Sequence, residues 1–331
     1  MAGATYATAA LSKIGIRRLR GEACVSIIFG HPRDWWAGPV SRLHTNQSQH
    51  ETTSVFITTE YTARERDVLS FSILGALEVH TGTGQVEIPG DLQRTLVQVL
   101  LVSEGQAVSG ETLIDEMWGE SAPANRVNAL QAHISRLRRR LRSMEPERSA
   151  SRLTMHPSGY RLAVDEDELD AAQFLRKVRR AEVVVSARPA EAADLLRSAL
   201  SMWRGPVFGS LPGGSVCRLT SALYEEHRLR ARELLFDAEL SAGHHANILA
   251  ELYDAHVSNL LRERFCEQLM IALYRSGRQA DALDTYRRMW QRLSEEIGVL
   301  PSPSLRSVEH AILSHDPSLT LTSGEALFRP A

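Results

Sequence analysis

The sequence predicts a mainly α protein in two parts, a small module that mixes strands with helices and then an all-helical one. Three observations predict it. Between residues 69 and 164, strand-type and helix-type apolar patterns alternate in the order strand, strand, helix, helix, helix, hairpin. From 170 to 316 the apolar spacing is helical nearly throughout, interrupted by short Gly, Pro or polar turns. The charge divides at the same place. Residues 121–164 hold nine arginines against two acidic residues, whereas 165–331 hold 20 basic and 24 acidic residues.

Composition bounds the rest. The chain has 331 residues, 43% of them apolar, which suits two domains, or three at most. Its 38 basic and 40 acidic residues nearly cancel, at a net charge of −2. Lys13 and Lys177 are the only lysines, a skew that reflects a GC-rich genome and makes single arginines weak evidence. Cys24, Cys217 and Cys266 lie too far apart for a disulfide framework or a paired zinc module. No run approaches the roughly 18 apolar residues of a membrane span. The segment Cys24–Phe29 is too short for a signal-peptide core, so the expected location is the cytoplasm.

Residues 1–69 show weak periodicity and many breakers, and are expected to be a poorly structured extension. Trp35-Trp36 is its one bulky feature and leaves open a docking arm. At Leu69 the pattern tightens. Phe71, Ile73, Leu77 and Val79 read as strand interrupted at Gly75, followed by a short strand from Gln85 to Ile88. Pro89-Gly90 ends it. A helix follows through Leu92, Leu96, Val99 and Leu100. Ser109 then caps a second helix through Leu113, Ile114, Met117 and Trp118, closed by Gly119. From Pro123 a longer helix over 123–143 places Val127, Leu130, Ile134, Leu137 and Leu141 on one stripe, at steps of 3, 4, 3 and 4. Residues 152–164 read as strand, turn, strand. This order is a winged helix-turn-helix spanning 70–164.

The acidic run Asp165–Glu168 opens the second part, 165–317, with helices expected at 170–187, 190–203, 215–242, 244–257, 261–275, 279–297 and 303–314. Small residues around Gly277 let two helices pack closely, a tetratricopeptide-like pattern. Residues 318–331 are left as a tail.

Several words together resemble a known family. They are Phe71–Val79 (FSILGALEV), Leu113–Gly119 (LIDEMWG), Asn128–Arg140 (NALQAHISRLRRR), Ser158–Leu162 (SGYRL), Trp203–Pro206 (WRGP) and Leu273–Ala282 (LYRSGRQADA). They resemble the Streptomyces antibiotic regulatory proteins (SARP), over about 70–317. The resemblance implies an OmpR/PhoB-like winged helix followed by a bacterial transcriptional activator domain. It also implies a transcriptional activator of a secondary-metabolite, often antibiotic, gene cluster. Such a protein would bind direct repeats in double-stranded DNA as a homo-oligomer and recruit RNA polymerase holoenzyme. The wing tip Met155–Ser158 carries no arginine for a minor groove, and no GxxxxGK[ST] segment occurs, so nucleotide control is not expected.

The exposed face of the 123–143 helix supplies the candidate site. Asn128, Gln131, Ser135 and Arg138 are the base-contact candidates, since Gln reads adenine and Arg reads guanine by paired hydrogen bonds. His133, Arg136, Arg139, Arg142, Arg94, Thr112 and Arg161 are phosphate candidates, which set register and affinity rather than sequence. No catalytic set, metal cluster or cofactor motif is found, and no enzyme activity is expected. Two other readings stay open: a protein-interaction scaffold, and a small-molecule-responsive regulator.

Overall fold

The computed structural model describes residues 69–211 and 213–320. The expected extension up to residue 68, its Trp35-Trp36 pair and Cys24 lie outside these residues, as does the tail from 321 onward; Leu69 and Leu319, expected in the extension and the tail, are buried in the two cores.

Three short strands open the fold: β1 (Ser70–Ser72), β2 (Glu78–Thr81) and β3 (Gly84–Val86), antiparallel in that order. Phe71 pairs with Val79, and Val79 with Val86. The single interrupted strand expected over 71–79 is therefore two strands. The chain reverses between them, and Ile73 and Leu74 are buried in the connection. β3 stops at Val86, two residues before the expected end.

Helix α1 (Asp91–Val102) is buried all round from Thr95 to Leu101. Helix α2 (Gly110–Trp118) starts as the sequence predicts: the Ser109 hydroxyl accepts from the Thr112 amide at 3.0 Å, and Gly119 ends the helix. Helix α3 runs Arg126–Met144, three residues later than expected. Pro123 lies in the connection instead, and Asn125, a residue that favours caps and turns, keeps a non-helical backbone. Leu130, Ile134, Leu137 and Leu141 face the core as the stripe predicts. Val127 does not: in the first turn, it is 56% exposed. The hairpin is β4 (Leu153–His156) with β5 (Gly159–Leu162), and Leu153 pairs with Leu162.

Seven α-helices follow among the described residues: α4 (Asp170–Val184), α5 (Pro189–Leu200), α6 (Ser215–Ser241), α7 (Leu249–Ser258), α8 (Glu263–Arg275), α9 (Gln279–Arg292) and α10 (Pro303–Leu313). α7 begins five residues after its expected start, because the Asn247 amide bonds back to the His244 carbonyl at 3.0 Å in a turn. The α-helical part of 279–297 ends at Arg292, and Leu293–Ile297 winds as a π-turn. No helix among the described residues is long and apolar enough to cross a membrane.

The change of composition at 164–165 is not a gap in packing. One apolar core includes Phe71, Leu96 and Leu137 of the first part and Phe174, Leu196 and Ala231 of the second. A smaller core lies among α7–α10. Polar links seal the join. The Asp170 carboxylate accepts from the Ile73 and Leu74 amides at 2.8 and 3.1 Å. The amides of Arg204 and Phe208 donate to the carbonyls of Leu74 and Ile73 at 2.7 and 3.1 Å. Cys217 and Cys266 are free and buried, and burial pushes both thiols well above their ordinary range.

Candidate nucleic-acid interface

The interface is built on α3. Its apolar stripe fixes the roll of the helix, so the opposite side must face solvent. Asn128, Gln131, Ser135, Arg136, Arg139 and Arg142 are all exposed there. Ala132, which the sequence reading passed over, is exposed in the middle of the same face, and Arg126 is exposed in the first turn, about −40° around the helix from Leu130 and so beside the apolar stripe. Helical spacing could have found Ala132, but a search for polar donors skips an alanine.

The arginines of this face differ from the most heavily paired arginines elsewhere in the protein. Arg152, Arg197, Arg262 and Arg264 each engage two carboxylates. Among the described residues, no carboxylate comes within ion-pair distance of Arg126, Arg136, Arg139 or Arg142, whose charge is left for an external anion.

The structure turns four expected site residues toward the protein. Arg138 is half-buried, and its Nε donates to the Leu153 carbonyl at 3.0 Å, tying α3 to the hairpin. At +80° around the helix from Leu130, it belongs to the edge of the buried side. His133 is half-buried against Trp118, edge to face at 5.6 Å, with the Gln93 amide nitrogen 2.8 Å from its Nδ1. A donor there makes Nδ1 the acceptor and the ring neutral. Burial, and then the nearby Arg136 charge, hold its pKa below the ordinary 6.5. A neutral, packed imidazole is a helix-positioning group rather than a phosphate cation. Arg94 donates to the Ile88 carbonyl at 3.0 Å and lies 3.5 and 3.7 Å from Asp91 and Glu87, so its charge is matched locally. Thr112 spends its hydroxyl on the Ser109 cap at 2.8 Å. Arg161 remains exposed on β5.

The wing is held by a short backbone bridge. Val108, between α1 and α2, exchanges two hydrogen bonds of 2.8 Å with Tyr160. This contact requires glycine next door. Gly159 has φ 141°, and a Cβ there would meet the Val108 carbonyl oxygen at 1.9 Å. At the wing tip Met155 is 77% exposed.

The neutral histidines set a pH dependence. His256 is also buried, and burial followed by Arg292 lowers its pKa. Below about 6.5 the unfolded chain takes up protons that the folded protein refuses. Stability is therefore full above that pH and is lost as pH falls through it. Thermal melts are expected to drop by about 3 °C between neutral pH and pH 5.5, and His133→Gln should remove part of the drop. An unchanged pH profile in that variant would show that the ring titrates normally.

No group of three His, Cys, Asp or Glu able to hold a metal is present among the described residues.

Comparison with known proteins follows the same division. Residues 90–162 match the C-terminal domain of transcriptional regulatory proteins, and residues 169–313 match the bacterial transcriptional activator domain. The transcriptional regulator RedD of Streptomyces coelicolor is 41% identical over 262 residues, which cover 79% of this chain and 74% of RedD. The regulatory protein AfsR of the same organism is 34% identical over 81% of this chain, but the match spans only 27% of AfsR. The structure of Mycobacterium tuberculosis EmbR in complex with a low-affinity phosphopeptide superposes with a TM-score of 0.71 at 28% identity, over 75% of this chain and 66% of EmbR. With an OmpR-like winged helix, an adjoining activator domain and these relatives, the chain belongs to the Streptomyces antibiotic regulatory protein family of transcriptional regulators.

Proposed function

We propose that the protein is a cytoplasmic, sequence-specific DNA-binding activator of an antibiotic or related secondary-metabolite gene cluster. It binds direct repeats near promoters as a homo-oligomer and recruits RNA polymerase holoenzyme. The observation that carries this reading is the face of α3, where exposed Asn128, Gln131 and Ser135 lie among arginines that pair with no carboxylate among the described residues. A B-DNA major groove admits one α-helix, and these side chains suit base edges. Arg136, Arg139, Arg142 and Arg161 suit phosphates, with Arg126 added from the structure. Arg138 remains a base candidate only through its η nitrogens, since its Nε is engaged by Leu153. His133, Arg94 and Thr112 are set aside because their polar groups already have partners in the protein.

The test is selection of duplexes from a fragmented genome of the source organism, with Asn128→Ala/Gln131→Ala run beside the wild type. Arg138→Ala is a poorer probe, because it also loosens the wing. Wild type should enrich direct repeats upstream of a biosynthetic cluster. The double variant should bind them about 100-fold more weakly, at roughly 1–3 kcal/mol for each good base contact. Arg139→Ala should weaken all sequences alike and reduce the salt slope by about 1. Equal enrichment by wild type and the double variant would refute the assignment of this face.

A further inference from the structure

One buried polar group has no use in the DNA-binding reading. Gln98 of α1 is 1% exposed, and neither its amide oxygen nor its amide nitrogen has a hydrogen-bond partner among the described residues. Buried carboxamides are nearly always paired, and an unpaired one marks a missing water, ion or ligand. A leucine would fill the same space without the penalty. Gln98 also lines a cavity of about 140 Å³ between the N-terminal sheet, α1 and the segment around Phe208. That is roughly the liquid volume of four or five waters, or of one small ring.

The rest of the lining narrows the chemistry. Leu77, Ile88 and Phe208 give apolar walls suited to the faces of a ring, and Gln85, Glu87 and Ser210 add polar groups to the lining. Arg94 lines the cavity too, but Glu87 at 3.7 Å and Asp91 at 3.5 Å match its charge. The site therefore offers no free cation to an anion. A carboxamide presents one donor edge beside one acceptor, the complement of an amide N–H next to its C=O. Phe208 closes the cavity from the second part of the chain with φ at 66°, in the left-handed region, where a bulky residue is strained. Such strain clusters at ligand clamps and switch segments.

We infer that this cavity binds a small neutral ring carrying an amide edge, such as a lactam, a cyclic imide or a pyrimidine-type base, through Gln98. The ring fills the space beside α1, and the Gln98 amide, whose two polar atoms are closed to solvent in the free protein, turns into the cavity to pair with it. Because Phe208 and its neighbours also bond to the sheet, the bound ring braces the join between the two parts of the chain.

The probes are 2-pyrrolidinone and uracil, with N-methyl-2-pyrrolidinone as the control that lacks the donor. Thermal melts of the full chain are recorded at 10 mM probe, without DNA, so the result is independent of the DNA-binding reading. With a Kd of about 1 mM, the folded state gains a factor of about ten, a rise of about 3 °C. The expected result is a rise with 2-pyrrolidinone or uracil, none with the N-methyl compound, and none with either in Gln98→Leu. If Gln98→Leu fails to fold, the contrast between the two pyrrolidinones on wild type still decides. No rise in wild type would mean that the cavity holds water only and would overturn the inference. An equal rise with the N-methyl compound, or a rise retained in Gln98→Leu, would overturn it as well.

Discussion

Replacing Arg152 with methionine lowers the melting temperature by about 10 °C, the largest single effect expected in the molecule. Arg152 is 3% exposed, although it stands only a few residues after the exposed basic helix. Its Nη1 and Nη2 meet the two Glu168 carboxylate oxygens at 2.6 Å each, and its Nε and Nη2 meet the Glu145 carboxylate. Nη1 also donates to the Ala163 carbonyl at 3.0 Å. One guanidinium thus joins the end of α3, the start of the hairpin and the entry to α4. Removing the cation leaves two poorly solvated carboxylates facing each other, which costs about 3–5 kcal/mol. The pH dependence gives a second signature. Burial raises the pKa of Glu168, but hydrogen bonds from Arg152 and the Asp165 amide, with the Arg152 charge, bring it net below its ordinary value. Its contribution is therefore present above about pH 4.5 and is lost as pH falls through the lowered folded value. The gap between wild type and Arg152→Met should narrow as pH falls below about 4 and Glu168 protonates. Melts at pH 7 and pH 3.5 test this, and a gap that stays constant would mean the guanidinium acts through packing alone.

Arg152 also shows where the sequence stops being legible. In the sequence it is one of nine arginines in a basic stretch, and nothing local separates it from Arg139 or Arg142. Its partners Glu145 and Glu168 lie 7 and 16 residues away, on different elements. Periodicity reports which side of a helix is apolar, and for α3 that was sufficient: the stripe from Leu130 to Leu141 places Asn128, Gln131 and Ser135 outward as expected. It fails at the margins of the stripe. Arg138 and His133 sit at the two borders, where contacts with Leu153 and Gln93 from distant segments decide whether a polar group faces in or out. Val127 fails because it lines an open pocket with Gly110, Ile114 and Tyr160 rather than a closed core. The helices of the second part were legible because Gly and Pro punctuate them. The shared core across 164–165 was not, because a compositional boundary carries no information about which faces meet.

Glu116→Ala should separate stability from DNA recognition less cleanly than any surface change, because Glu116 joins the helix-turn-helix to the long helix of the activator domain. It sits on α2 at 5% exposure. Its Oε1 accepts from the Val216 amide at 2.7 Å and the Ser215 hydroxyl at 3.1 Å, and its Oε2 accepts from the Cys217 amide at 3.2 Å. These are the first-turn donors of α6, which no residue of α6 itself satisfies, and a carboxylate there also meets the positive end of the helix dipole. Gly214 permits the approach, since a Cβ there would lie 2.6 Å from the Glu116 carboxyl and 2.8 Å from its Cα. Truncation to alanine leaves buried amides unpaired and is expected to cost about 2–4 kcal/mol, or roughly 8 °C. Gly214→Ala should destabilise in the same direction by forcing the helices apart. Glu116→Gln separates the two contributions, because the neutral amide keeps the volume and one acceptor but loses the charge, so about half of the alanine effect should remain. If Glu116 only stabilises, specific DNA affinity measured well below the melting temperature will match wild type. If α6 fixes the tilt of α2, and through it α3, affinity will fall by about tenfold while the salt slope is unchanged, since no phosphate contact has been removed. The second result is expected, because α2 packs directly on α3, with Gly110 against Leu130 and Trp118 against His133, and a reading helix displaced by an ångström loses base contacts before it loses phosphates.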